Sequence, residues 1–315
     1  MLENPVPWPD GARCAVSINF DMDSDAFLHP LYPDKAHTLQ NLVSWLRYDE
    51  VAVPRVVKLF DSYGIKQTFF VPAWCIEQYP ASVEPILESG HELAHHGYLH
   101  ENPLDQSRES EAYWLERAAA VIERFTGHRP VGWRGPWGGF SVNSADIIAE
   151  AGYLYDSTLM ADCQPYLVKS KQGEFVELPI ELTLDDWPHY AHVPDLAYLI
   201  PPKSPAQALE VFRAEFDARW EYGGFMTTTW HPFVSGRLSR LRAVGQLIEH
   251  MLEKGNVWLT TMEEIARHVR TCIDDGSWQP RVVEMPYYGG EPIAELEDVK
   301  RQAAATAETG RSWTT

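Results

Sequence analysis

The chain has 315 residues, 45% of them hydrophobic, and sets 45 acidic against 26 basic side chains for a formal charge of −19 at pH 7. That length buries one large core and lies in the range where α/β barrels stay a single domain. So acidic a surface argues against nucleic acid or an anionic membrane as partner and leaves a small soluble substrate as the expected one.

The opening residues, Met1-Leu2-Glu3-Asn4-Pro5, lack the basic patch and apolar run of a signal peptide. No stretch approaches the ~20 apolar residues of a membrane helix. Cys14, Cys75, Cys163 and Cys272 form no C-x-x-C pair and no disulfide framework, so a cytoplasmic location is expected.

In chain order, residues 15–20 read as a first strand, 53–62 as a helix closed by Gly64, and 67–71 as the next strand. A short helix over 80–88 precedes a third strand near 92–94. A long helix over 110–125 ends at Gly127 and leads to a short strand at 131–133. Residues 144–151 read as helix and 153–155 as the start of a fifth strand. Residues 175–180, 225–230 and 257–259 follow as strands, with helices over 205–221 and 238–253 between them. About eight strand and helix units predict an α/β fold, a closed or nearly closed (β/α) barrel. The barrel is expected to occupy 1–273, and the Pro- and Gly-rich 274–315 to form an extended arm that could wrap a neighbouring subunit in a homo-oligomer.

Chemistry-bearing residues fall at the ends of these strands. Asn19-Phe20-Asp21-Met22-Asp23-Ser24-Asp25 places carboxylates at alternate positions, so Asp21 and Asp23 share a face of an extended chain. Carboxylates held that close repel unless a cation joins them, although a solvated acidic turn would read alike. Gly90-His91-Glu92-Leu93-Ala94-His95-His96-Gly97-Tyr98-Leu99-His100 contributes His96 and His100, whose spacing of four would stack both imidazoles on a helical turn. With Asp23 they make a set for one divalent metal that leaves coordination positions open. His91 and His95 are read as structural. Arg134, in Trp133-Arg134-Gly135-Pro136-Trp137-Gly138, could hold a carboxylate ionised, and His231 could protonate a leaving nitrogen.

Taken together these motifs resemble those of the polysaccharide deacetylase family, the family-four carbohydrate esterases, in order and over about residues 13–269. The family's Thr-Phe-Asp-Asp stands here as Phe20-Asp21-Met22-Asp23 with one residue inserted, a variant similar to the peptidoglycan-deacetylase-like and cyclic-imide-hydrolase-like branch. The resemblance implies a deformed (β/α) barrel of about seven or eight strands, with Asp21 as general base and Asp23, His96 and His100 as metal ligands. It places Arg-x-Pro on Arg134 and Pro136, the oxyanion N–H on Trp137, and the general acid on His231. Asp156 is taken as the carboxylate orienting His231, in competition with Asp185 and Asp186.

The donor set suits zinc, with cobalt, nickel and manganese as alternatives. Aromatic segments at 177–181 and 184–190, including Trp187, could lid a pocket. This favours hydrolysis of a non-peptide C–N bond in a small amide or imide, with N-deacetylation of peptidoglycan or amino-sugar oligomers, or a non-catalytic ligand-binding barrel, as the alternatives. Of the 12 tryptophans, Trp74, Trp137, Trp187 and Trp230 lie nearest the motifs in sequence.

Overall fold

A computed structural model describes residues 2–288. The expected first strand is two: β1 (Cys14–Ser17) and β2 (Phe20–Asp21). The break has a local cause. Ile18 N–H donates to the Gln67 side chain at 2.5 Å and Asn19 N–H to the Thr228 hydroxyl at 2.9 Å, so side chains replace the ladder for two residues. Strands β3 (Thr68–Val71), β4 (Glu92–His95), β5 (Gly132–Trp133) and β6 (Tyr155–Asp156) follow. After them come β7 (Tyr166–Lys169), β8 (Glu174–Glu177), β9 (Phe225–Thr227), β10 (Val257–Leu259) and β11 (Val282–Glu284).

One sheet runs β10-β1-β9 and the other β11-β7-β8-β6-β5-β4-β3-β2. All pairings are parallel except the β7–β8 hairpin. Single parallel bridges, Phe20 to Trp230 and Asp185 to Thr229, join the two sheets into a deformed barrel. The aromatic rings of Phe20, Phe60, Phe69 and Trp230, all buried, pack where the barrel meets the helix Asp49–Tyr63. Helix Arg108–Thr126 starts at the Ser107 cap and stops at Gly127, whose φ of 86° a side chain would disfavour.

The elements that escape the sequence reading include the helices Gln40–Leu46, Ala73–Gln78 and Met262–Asp274, the four-residue β7 and the edge strand β11. The last of these moves the domain boundary. The expected arm does not leave at residue 274, because Trp278 is buried and its indole N–H donates to the Asn4 carbonyl at 3.0 Å, while Val282–Glu284 pair in register with β7. Residues up to Met285 form one compact unit, and a second begins at Pro286. The remainder of the expected arm, 289–315, lies outside the described residues. Among the described residues no helix is long and apolar enough to cross a membrane.

Candidate active site

The first acid of the site, Asp21, closes β2, and Asp23 lies on the turn behind it; both are buried. Arg134, one residue past β5, reaches Asp21 Oδ1 at 2.7 Å. Its remaining N–H groups donate to the Ser157 carbonyl at 3.1 Å, the Ser157 hydroxyl at 3.0 Å and the Thr228 carbonyl at 3.3 Å, which fixes the fork. A buried carboxylate with a buried, fully engaged guanidinium is a paired charge, and its direction is set by strands β5, β6 and β9 together.

His96 follows β4 directly, and its Nδ1 lies 2.8 Å from the Arg134 carbonyl. That contact assigns the proton to Nδ1 and turns Nε2 inward, as a metal-binding imidazole requires. The four-residue spacing does not work through a helix. Residues 97–101 form an irregular loop in which Gly97 has φ 75° and His100 itself φ 57°. A bulky residue in the left-handed region is uncommon and persists only where packing enforces it. Here the indole N–H of Trp137, another left-handed residue at φ 63°, donates to the His100 carbonyl at 3.0 Å.

Two imidazoles and one carboxylate converge. His96 Nε2 lies 3.4 Å from Asp23 Oδ1 and His100 Nε2 lies 3.5 Å from Asp23 Oδ2. Donors each ~2.0–2.1 Å from a tetrahedral cation lie roughly 3.3–3.4 Å apart, so the spacing suits such an ion. Asp23 Oδ1 is buried without a hydrogen-bond partner. Burial disfavours the Asp23 anion, but the imidazoles around it outweigh that and hold the carboxyl below its usual range. Burial pushes His100 down to about 3, leaving a neutral ring. An ionised carboxylate with one oxygen lacking a hydrogen-bond partner, and an imidazole nitrogen turned toward it, fit a divalent cation.

Opposite stands His231, after β9, with Nε2 3.4 Å from Asp23 Oδ2. Its partner is Asp186. Oδ1 of that carboxylate meets His231 Nδ1 at 2.7 Å, and Oδ2 accepts the His231 backbone N–H at 3.0 Å and the Ser235 hydroxyl at 2.5 Å. Burial opposes the imidazolium, yet Asp186, Asp23 and Asp185 raise His231 well above the ordinary histidine value.

Two expected roles are corrected. Asp156 does not orient His231, because it faces Glu177 on the adjoining strand β8 and accepts the Thr158 hydroxyl at 2.6 Å. Burial lifts Asp156 to about 6 and, together with the Asp156 charge, raises Glu177 well above its ordinary value, the condition of two carboxyls sharing a proton. Pro136 does not touch the substrate space. It is buried behind the loop, so near Gly97 that a Cβ there would stand 2.9 Å from the proline ring. His91 and His95 point elsewhere: His91 accepts the Gln67 N–H, and His95 meets the Tyr153 hydroxyl at 2.6 Å.

A cavity of about 530 Å³ opens over the two aspartates and three histidines. Trp137 and Trp187 line it, whereas Trp74 and Trp230 do not, the latter being core. Sequence reasoning missed Phe27, Leu31 and Tyr32, which belong to the one-turn helix Leu28–Leu31 and its two caps, and Tyr198, from beyond the expected lid. The run of apolar and aromatic residues directly after the acidic motif was their available signal.

The comparisons agree with the geometry. The family model for polysaccharide deacetylase matches residues 38–155. A crystal structure from Mycobacterium smegmatis, whose own assignment as a polysaccharide deacetylase is provisional, is 36% identical, with 91% of this chain and 99% of that chain covered at a TM-score of 0.84. The peptidoglycan deacetylase of Helicobacter pylori is 29% identical over 245 residues, 69% of this chain and 83% of that protein. An allantoinase crystal structure shares the fold, with a TM-score of 0.75 at 23% identity over 86% of this chain and 94% of the other. The chain therefore belongs to the polysaccharide deacetylase family, hydrolases that act on carbon–nitrogen bonds.

Proposed function

We propose that the protein hydrolyses a non-peptide amide or imide C–N bond of a small substrate, with one divalent cation held by Asp23, His96 and His100. The observation that carries this reading is the cup over the site. The segment 182–198 lines the cavity through Leu182, Trp187, Leu196 and Tyr198, and it meets the loop after Asp25 where the Tyr32 hydroxyl donates to the Asp195 carbonyl at 3.2 Å. A bridged rim suits a compact molecule better than a polymer strand.

When bound, the cation supplies Lewis acidity, polarising the carbonyl and making water nucleophilic near neutral pH. Zinc is the metal we favour, with cobalt, nickel and manganese as alternatives. Asp21, oriented by Arg134, accepts the proton of the attacking water. The water oxygen bonds to the carbonyl carbon, the C–N bond breaks, and His231, held protonated by Asp186, gives its proton to the departing nitrogen. The backbone N–H of Trp137 at the cavity rim is the oxyanion donor we assign. The products are a carboxylic acid and an amine, or an acid–amide when an imide ring opens.

All four cysteines are free, three of them buried, which supports a reducing, cytoplasmic setting. A second reading, N-deacetylation of amino-sugar oligomers, draws on the Helicobacter pylori relative named as a peptidoglycan deacetylase. Turnover of succinimide, dihydrouracil, allantoin and N-acetylglucosamine oligomers, each with and without added zinc, separates the readings. Metal-dependent opening of a cyclic compound is expected. Hydrolysis of the sugar oligomers alone would favour the second reading, and no turnover by the metal-loaded protein would leave a binding barrel.

A further inference from the structure

The charges of the cavity are gathered on its floor, and each has a partner there. Asp21 is paired with Arg134, Asp23 with three imidazoles, and His231 with Asp186. Asp185 accepts the Trp187 N–H at 2.7 Å. Above the floor the wall changes character. Phe27, Leu31, Met160, Ile180, Leu182 and Leu196 come from four separated parts of the chain and converge on one space. Leu31, Met160 and Leu182 are among the exposed large hydrophobic side chains, as is Trp137 beside them. Apolar groups collected around the mouth of a concave site gain free energy when a ligand covers them.

What the wall lacks matters equally. Among the described lining residues Arg134 is the one arginine or lysine, and its N–H groups are taken. The Tyr32 hydroxyl donates its proton to the Asp195 carbonyl. A substrate carboxylate or phosphate above the floor would meet no cation, and a row of hydroxyls would be desolvated with few partners.

We infer that the part of the substrate not undergoing reaction is neutral and apolar: the protein prefers an amide or imide bearing an alkyl or aryl group over the unsubstituted ring and over an N-acetyl sugar. This rests on the hydrolase reading above and deepens it. The reacting carbonyl lies at the floor, and the substituent lies against Leu31, Leu182 and Leu196.

Succinimide, 3-phenylsuccinimide and N,N′-diacetylchitobiose, compared with the zinc-loaded protein, test the inference through kcat/KM, with calorimetric Kd measured for the same three compounds. The phenyl compound is expected to exceed succinimide by at least about tenfold, the scale on which apolar pockets discriminate added hydrocarbon. Leu31→Asn and Leu182→Asn, both at exposed positions that the core does not depend on, are expected to bring that ratio toward one. Turnover of all compounds with no preference for phenyl, or a ratio unmoved by both substitutions, overturns the inference and leaves the hydrolase intact. If nothing is hydrolysed the hydrolase reading fails, and the Kd ratio then decides the wall: tighter phenyl binding supports it and equal binding overturns it.

Discussion

His231 and Asp186 show how much one carboxylate decides. The imidazole is buried, which by itself would discharge it, and the adjacent Asp186 reverses the outcome. A general acid must carry its proton, so activity is expected to fall as pH rises through the His231 value. Neutralising Asp186 removes the main support for the imidazolium, lowers that value and shifts the basic limb of the kcat/KM profile to lower pH. Profiles of Asp186→Asn and Asp156→Asn make the contrast: the limb moves in the first and stays in the second, and the reverse would restore the sequence-based assignment of Asp156. The ligand set has its own measurement. His96→Ala or His100→Ala is expected to reduce bound metal well below one equivalent by elemental analysis, since each substitution removes one of the three assigned donors. Full occupancy in both would sink the assignment.

At the scale of elements, the site depends on strand ends continued by strained loops. Residues 97–101 return His100 toward Asp23 by two left-handed residues, and the Arg134–Gly138 turn locks them through Trp137. Gly97 is the hinge of that arrangement. An added Cβ would adopt a φ of 75° and stand 2.9 Å from Pro136 and 3.2 Å from the Glu101 carboxylate. Gly97→Ala is therefore expected to lose ~1–2 kcal/mol from the left-handed backbone alone, read as a lower thermal midpoint. It is also expected to weaken zinc binding in a competition titration, because His96 and His100 flank the displaced turn. Unchanged metal affinity would show that the loop relaxes without moving its ligands.

For the whole molecule, a formal charge of −19 sets a repulsive field toward anions. Salt screens that field beyond roughly 8–10 Å at physiological ionic strength. The kcat/KM for a carboxylated imide is expected to rise with added sodium chloride while that for a neutral imide stays flat; parallel behaviour of the two would mean that the field does not reach the cavity.

Much of this molecule is legible along the chain. Alternating strands and helices stop at Gly64 and Gly127, and the residues able to perform hydrolysis stand within a few positions of strand ends, because residue identity and short spacing are local properties. The break between β1 and β2 was not legible, since Gln67 and Thr228, far away in sequence, complete the backbone pairing. Nor was the choice among three carboxylates. Asp156, Asp185 and Asp186 look alike as residues near strand ends, and only the bridge from Asp185 to Thr229 brings Asp186 against His231, while the β6–β8 register turns Asp156 onto Glu177. The sequence alone thus determined the kind of chemistry, through side chains whose reactivity they carry with them. The tertiary structure decided which acid serves which base and what the cavity wall is made of, because both depend on distances between segments that the barrel brings together.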